Sequence, residues 1–357
     1  MKRLIFVFLA LCVLAGLAVP AFAEDANSDW ESAYAAILNE KWAEITAAEE
    51  ADPDYLGECT YTVYDIDKDE VPELILKMGT CEADYHGEIY TFRDGGALRV
   101  CDELGLGHSS LYTCPDENGV ILMYGHMGYA EADRLTLEGN TVRSEMMYED
   151  NLNERLEKDP EADYVYPGDV VPGSVYLTLF RADRQLPLRR YEEVQNCLAG
   201  KFPEAASDGD AADIDAEFFE KLVASNDEVV AVAADNYTKS PGPIGFQDLL
   251  KKDVAKDWMS GDFSVLSAQP ADLNADGQPE YVMTLTTDGE HSELCCCLSE
   301  QDGVVYAYLF DWYASSLEVD SAGNLWYGGE YYETLYRLIF DGEEAFELSL
   351  PAEYRAA

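Results

Sequence analysis

The chain has 357 residues and carries 71 Asp plus Glu against 23 Lys plus Arg, a formal charge of −48. Phosphate binding depends on Lys and Arg displacing counterions, so this balance excludes nucleic acid and anionic lipid as partners. A content of 48% hydrophobic and 12% aromatic residues excludes a disordered chain, and the length suggests two domains.

The first 23 residues read as a signal peptide. Lys2 and Arg3 form the charged start, Leu4 to Val19 the apolar stretch, and Ala21-Phe22-Ala23 the small-x-small cleavage site. Its removal leaves 21 basic and 71 acidic residues, a formal charge of −50. Cys12 follows Leu11, where a lipobox needs Gly, Ala or Ser, so the leader reads as cleavable and the protein as secreted. Downstream there is no run of about 18 apolar residues, and no membrane span is expected.

Residues 24–206 and 207–357 read as two modules. The first opens with SDWESAYAAILNEKWAEITAAEE, where Trp30, Tyr34, Ile37, Leu38 and Ile45 recur at helical spacing after Ser28 or Asp29 as cap. Next comes YTVYDIDKDEVPELIL from Tyr61, which matches AQPADLNADGQPEYVM from Ala268. Asp65, Asp67, Asp69, Pro72 and Glu73 fall on Asp272, Asn274, Asp276, Pro279 and Glu280 at an offset of 207. Downstream, Asp94-Gly95 falls on Asp302-Gly303 and Arg134 on Arg337, so the register drifts by only a few residues. An internal duplication follows. After each acidic loop, short Tyr- and Val-rich runs alternate with DG, NG and GN turns, the signature of an antiparallel meander. LRRYEEVQNCLAGKF reads as a closing helix, EAASDGDAAD as a linker, and AEFFEKLVAS and GFQDLLKKDVAKDWM as helical stretches before the second loop. The expected fold is α+β and strand-dominated: two tandem homologous modules, each a helix packed on an antiparallel β-meander.

The acidic loops place side-chain oxygens at positions 1, 3, 5 and 9: Asp65, Asp67, Asp69 and Glu73 in the first, Asp272, Asn274, Asp276 and Glu280 in the second. Calcium takes six to eight oxygens at about 2.3–2.6 Å, and donors at alternate positions of a tight loop can wrap one ion. The carbonyl at position 7, Val71 or Gln278, would add a further ligand. No Glu stands at position 12, and a strand instead of a helix follows. Glu70 occupies position 6, where Gly is usual because the backbone tends to need positive φ; the second loop keeps Gly277 there. Acidic turns are common in so acidic a chain, but the full spacing recurs at equivalent places.

These loops resemble the D-x-D/N-x-D-G loops of FG-GAP-like and EF-hand-like calcium repeats. With the helix and the Tyr-rich meander, they are similar to a broad class of uncharacterised exported proteins of anaerobic Gram-positive bacteria. The likeness spans residues 30–150 and 245–347, and the loops are its only specific motif. It implies bound calcium and no catalytic activity. The expected function is a secreted calcium-binding protein with a non-catalytic binding or surface role toward a protein or carbohydrate. The alternatives are an extracellular hydrolase of polysaccharide or peptide and a structural role with calcium as a folding staple.

Eight cysteines follow the leader. Cys59–Cys81 and Cys101–Cys114 bracket successive turns and are expected as disulfides, since the second module lacks their equivalents. Cys295-Cys296-Cys297 reads as a buried strand. No HExxH, GxSxG or Walker pattern occurs; His108-Ser109-Ser110 reads as a loop, and His126 falls where the second module has Gly329. Trp326, Tyr327, Tyr331, Tyr332 and Tyr336 read as sheet core more than as a sugar platform.

Overall fold

The computed structural model describes residues 30–52, 57–115, 117–159, 170–202, 216–234, 238–256, 261–274, 279–289, 291–314, 316–328 and 333–355. The expected leader, Ser28, Asp29 and most of the expected linker lie outside them.

Helix α1 (Trp30–Ala51) buries Trp30, Tyr34, Leu38 and Ile45 along one face, as the spacing requires. That face packs on a sheet made from β1 (Glu58–Tyr64), β2 (Glu73–Gly79), β3 (His86–Arg93) and β4 (Gly96–Gly105), paired antiparallel in chain order. The next four strands, β5 (Ser109–Thr113), β6 (Val120–His126), β7 (Tyr129–Glu138) and β8 (Thr141–Asn151), form a second antiparallel sheet. The meander is therefore not one sheet, as expected, but two stacked face to face. Side-chain alternation on β2 explains the layering: Leu74 and Leu76 face α1, while Ile75 packs with Leu111, Val120 and Leu135 of the second sheet.

The chain then runs through α2 (Leu152–Lys158) to β9 (Phe180–Arg181), which pairs on the free edge of β1. Helices α3 (Leu186–Arg189) and α4 (Tyr191–Leu198) follow, and the expected closing helix is the second of these. Gly200 at φ +67 ends that segment in the left-handed region a side chain resists.

The later part repeats the layer order. Helix α5 (Ala216–Ser225) places Phe219 and Leu222 in a core with Tyr281, Met283 and Leu285. The strands β10 (Glu228–Ala233) and β11 (Gly242–Gly245) lead to helix α6 (Phe246–Leu249), and then β12 (Ser264–Ala271), β13 (Glu280–Thr286), β14 (Ser292–Gln301) and β15 (Val304–Ala314) pair in chain order. Strands β16 (Ser316–Val319), β17 (Leu325–Gly328), β18 (Glu333–Asp341) and β19 (Glu344–Leu350) make the fourth sheet. One pairing is not antiparallel: β10 lies parallel to β15. The stretch from Gly245 is also less helical than expected. It makes one turn at α6, buries Leu249 and Leu250, and breaks at Asp253, whose φ is +61. The helix over this sheet is α5 instead, because it carries the apolar face. Among the described residues, no helix is long and apolar enough to cross a membrane.

The two-residue turns Asp94-Gly95 and Asp302-Gly303 both adopt positive φ at each residue, which matches the twist of the strands they join. Helices α3 and α4 bind the halves. Leu186, Val194 and Cys197 pack on the outer face of the fourth sheet, and Phe180 meets Phe346 edge-on at 4.9 Å. Arg190 donates to the Phe340 carbonyl at 3.1 Å.

Tyr34 links helix to loop: its buried hydroxyl donates to the carbonyl of Pro72 at 2.8 Å, just before Glu73. Leaving that carbonyl without a donor costs about 1–2 kcal/mol. Tyr34→Phe should therefore lower unfolding free energy by that amount in urea melts, with an unchanged m-value; no loss would mean that the bond does not anchor the loop.

Candidate metal centre

The first acidic loop turns between β1 and β2 and is closed by its own carboxylates. Asp65 accepts from the backbone N–H of Asp69 through Oδ1 at 3.1 Å and from that of Glu70 through Oδ2 at 3.0 Å. Asp69 Oδ1 accepts from Val71 N–H at 3.0 Å. Glu73 starts β2 on the inter-sheet side and is 1% exposed. Its Oε2 accepts from Ile66 N–H at 2.8 Å and its Oε1 from the Thr91 hydroxyl at 3.0 Å. Ile66, at loop position 2, is itself buried between the sheets, so the loop's start is pinned by an apolar side chain and a carboxylate together.

These bonds draw Asp65, Asp67 and Glu73 into one cluster, an oxygen of each lying within 4.8 Å of the others. Asp69, one of the expected ligands, falls outside that cluster; Val71 enters the loop's bonding through its N–H. Asp67 pairs through Oδ2 with Arg93 at 2.9 Å, while its Oδ1 is buried and has no hydrogen-bond partner. Arg93 also reaches the Gly139 carbonyl at 2.5 Å, which ties the loop to the β7–β8 turn. Lys68 donates to the Tyr64 hydroxyl at 2.8 Å and to the Asp65 carbonyl at 3.0 Å.

The electrostatics are unbalanced. Burial, then the neighbouring Asp67 and Asp65 charges, push the Glu73 carboxyl up to about 8, although its hydrogen bonds with Ile66 and Thr91 pull the other way. Asp65 and Asp67 are raised too, chiefly by desolvation, and burial lowers the Lys68 ammonium. A divalent cation would oppose each of these carboxylate shifts. The donors are all hard oxygens, and the orphaned Asp67 Oδ1 is an acceptor with no other role, so the cluster could hold a hard divalent cation.

In the second loop, Glu280 is 2% exposed and repeats the closure: its Oε2 accepts from Leu273 N–H at 2.8 Å and its Oε1 from the Ser299 hydroxyl at 3.3 Å. Asp272 is half-buried, and Asn274 lies beside α4. Asp276, Gly277 and Gln278 lie outside the described residues, so the expected ligand set cannot be assembled from them.

Other expected features fare differently. All eight described cysteines are free thiols. Cys59 packs under α1 while Cys81 is exposed; Cys101 faces the space between sheets and Cys114 the outer side of the second sheet. Cys101 and Cys114 are split between layers because β4 and β5 belong to different sheets, while Cys59 is buried on β1 and Cys81 exposed in the β2–β3 turn of the same sheet. Cys295 and Cys297 point between the sheets and Cys296 toward α5, all buried, as the apolar reading of that strand requires. Trp326 is core, and Tyr336 packs partly buried against the inter-sheet cluster; Tyr331 and Tyr332 lie outside the described residues. The histidines gave no signal of pairing in sequence, yet the rings of His108 and His126 stack with centroids 3.9 Å apart. Sequence reasoning also missed Ile66, Thr91, Leu273 and Ser299. The two hydroxyls, Thr91 and Ser299, were visible in principle, since each stands three residues before its Asp-Gly turn.

Comparison with protein-family models and with curated proteins finds no match to this chain.

Two outcomes follow from this geometry. Glu70 has φ +73, left-handed backbone that costs a non-glycine residue about 1 kcal/mol, so Glu70→Gly should raise unfolding free energy by roughly that amount. A destabilised variant would show that the Glu70 side chain is needed. The second concerns pH. Between the ordinary value of 4.5 and about 8, the folded state keeps a proton on Glu73 that the unfolded state has lost. Stability in chelator should therefore fall as pH rises from about 5 to 8. Glu73→Gln, which keeps an oxygen for Ile66 N–H and cannot ionise, should flatten that slope in thermal melts. Equal slopes for the two proteins would contradict the assignment.

Proposed function

We propose that this chain is a secreted calcium-binding protein with a non-catalytic binding or surface-interaction role, built as two homologous modules. The observation that carries the calcium reading is the Asp65–Asp67–Glu73 cluster with the buried, partnerless Asp67 Oδ1. Asp65, Asp67 and Glu73 would hold the ion through carboxylate oxygens, with charge neutralisation as its contribution. The duplication is supported by matching details: equal sheet order after each loop, and Glu73 and Glu280 each accepting from the N–H seven residues earlier at 2.8 Å. Export is supported by the leader, and the binding role by the lack of any nucleophile, zinc or phosphate motif in the sequence.

Calcium would act by relieving carboxylate repulsion in a chain of charge about −50. Extracellular sites commonly bind at about 10⁻⁴–10⁻³ M, and tenfold excess over Kd contributes about 1.4 kcal/mol per site. Calorimetric melts in millimolar calcium should therefore rise by a few degrees over melts in chelator, with a smaller rise in magnesium. Asp65→Ala should remove the share of the first loop and Asp272→Ala that of the second. Melting indifferent to calcium would leave both loops as self-closed acidic turns.

A further inference from the structure

We propose that the cleft between the two halves binds a small organic carboxylate with a ring or apolar body. The cleft has a volume of about 370 Å³ and is walled by β1 and β2, by the segment through β9, and by β19. That size suits an amino-acid derivative or a single sugar acid. It deepens the binding role proposed above by naming a ligand class, but it does not depend on the calcium loops.

Its central feature is Arg184. In a chain with three acids for every base, this half-buried guanidinium forms no ion pair among the described residues. Its hydrogen bonds go to two carbonyls of the later half, Ala233 at 2.8 Å and Ala345 at 3.4 Å. Burial lowers its pKa and the nearby Asp183 charge only partly opposes this, so an anion placed beside it gains both charge and hydrogen bonding. Three glutamates, Glu58, Glu82 and Glu347, share the cleft wall with Lys77, Arg181 and Arg184, so the position of each charge decides where an anion can sit. Arg181 takes both oxygens of Asp183 at 3.0 and 3.1 Å, and Glu58 accepts from the Tyr85 hydroxyl at 2.6 Å.

Lys77 supplies a second cation. Its ammonium sits 4.2 Å from the Tyr85 ring centre and only loosely, at 3.9 Å, from Glu82. Tyr176 adds a ring that is 37% exposed, and Phe180 and Phe346 an apolar wall. A carboxylate on Arg184 would leave the body of its ligand in the same cleft as these rings and Lys77. Such an arrangement gives a site for one charge of the ligand and a surface for the rest.

Arg184 also clamps the halves through its carbonyl contacts, so the test needs a second residue outside the clamp. The probes are N-acetyltyrosine, its amide and galacturonate, titrated into the full chain by calorimetry and by NMR of labelled protein. The expected result is a Kd of about 1 mM or tighter for N-acetyltyrosine or galacturonate, with shifts at residues 77, 85 and 178–181. Which of the two binds better distinguishes a peptide carboxylate from a sugar acid. The amide should bind at least tenfold more weakly than N-acetyltyrosine if the latter is the ligand. Arg184→Lys and Lys77→Met should each weaken binding at least tenfold while melting stays cooperative. Lys77→Met keeps the test valid if Arg184→Lys loosens the junction. Failure of both carboxylates to bind, an amide that binds as tightly as its acid, or unchanged affinity in Lys77→Met would overturn the proposal. Titrations repeated in chelator separate this outcome from failure of the calcium reading.

Discussion

A buried glutamate that fastens the start of its own loop is the constraint on which this architecture turns. Glu73 and Glu280 each sit at the first residue of a central strand, almost without solvent, and hold a backbone N–H seven residues back. An ionised carboxylate in that position is costly unless other groups offset it. The protein supplies two hydrogen-bond donors to each. In the first loop it also adds two further carboxylates close by, which worsens the balance. The loop is thus geometrically complete and electrostatically strained. The calcium proposed for this loop would relieve the strain by neutralising charge while leaving the hydrogen bonds in place.

The same side-chain alternation that buries the glutamates also builds the layers. On β2 and β13 the residue after each glutamate faces the helix side and the next faces the stacked sheet, so one strand serves two cores. Around the first loop, Tyr34 reaches from α1 to Pro72, Arg93 reaches from β3 to the second sheet, and Tyr64 holds the backbone of Cys114. Helix, loop and both sheets meet within one short segment. The cleft at the junction is walled by the far end of this first sheet, where β1 receives β9.

Much of this was legible in residues 61–76 and 268–283. The repeated spacing located both loops, and α1 was readable from Trp30, Tyr34, Leu38 and Ile45 because its apolar face is long and regular. The need for positive φ at Glu70 was readable from Gly277 at the matching position. Other features were not legible, for physical reasons. Alternating runs announce strands but not where a meander folds over, so one sheet was expected where two are stacked. The short α6 was over-read because leucines at helical spacing also suit a compact turn that buries Leu249 and Leu250. Disulfides were inferred from proximity along the chain, whereas β4 and β5 lie in different layers. Arg184 carried no motif at all, since its significance lies in what does not surround it.

The central claim is that the first loop trades a proton for a cation. Calorimetric titration of calcium into the leader-free chain at pH 7, repeated in buffers of different ionisation enthalpy, measures that exchange directly. A Glu73 carboxyl held near 8 predicts release of about one proton per ion bound at the first loop, abolished in Glu73→Gln. Calcium binding with no proton release, or proton release that persists in Glu73→Gln, would contradict the account.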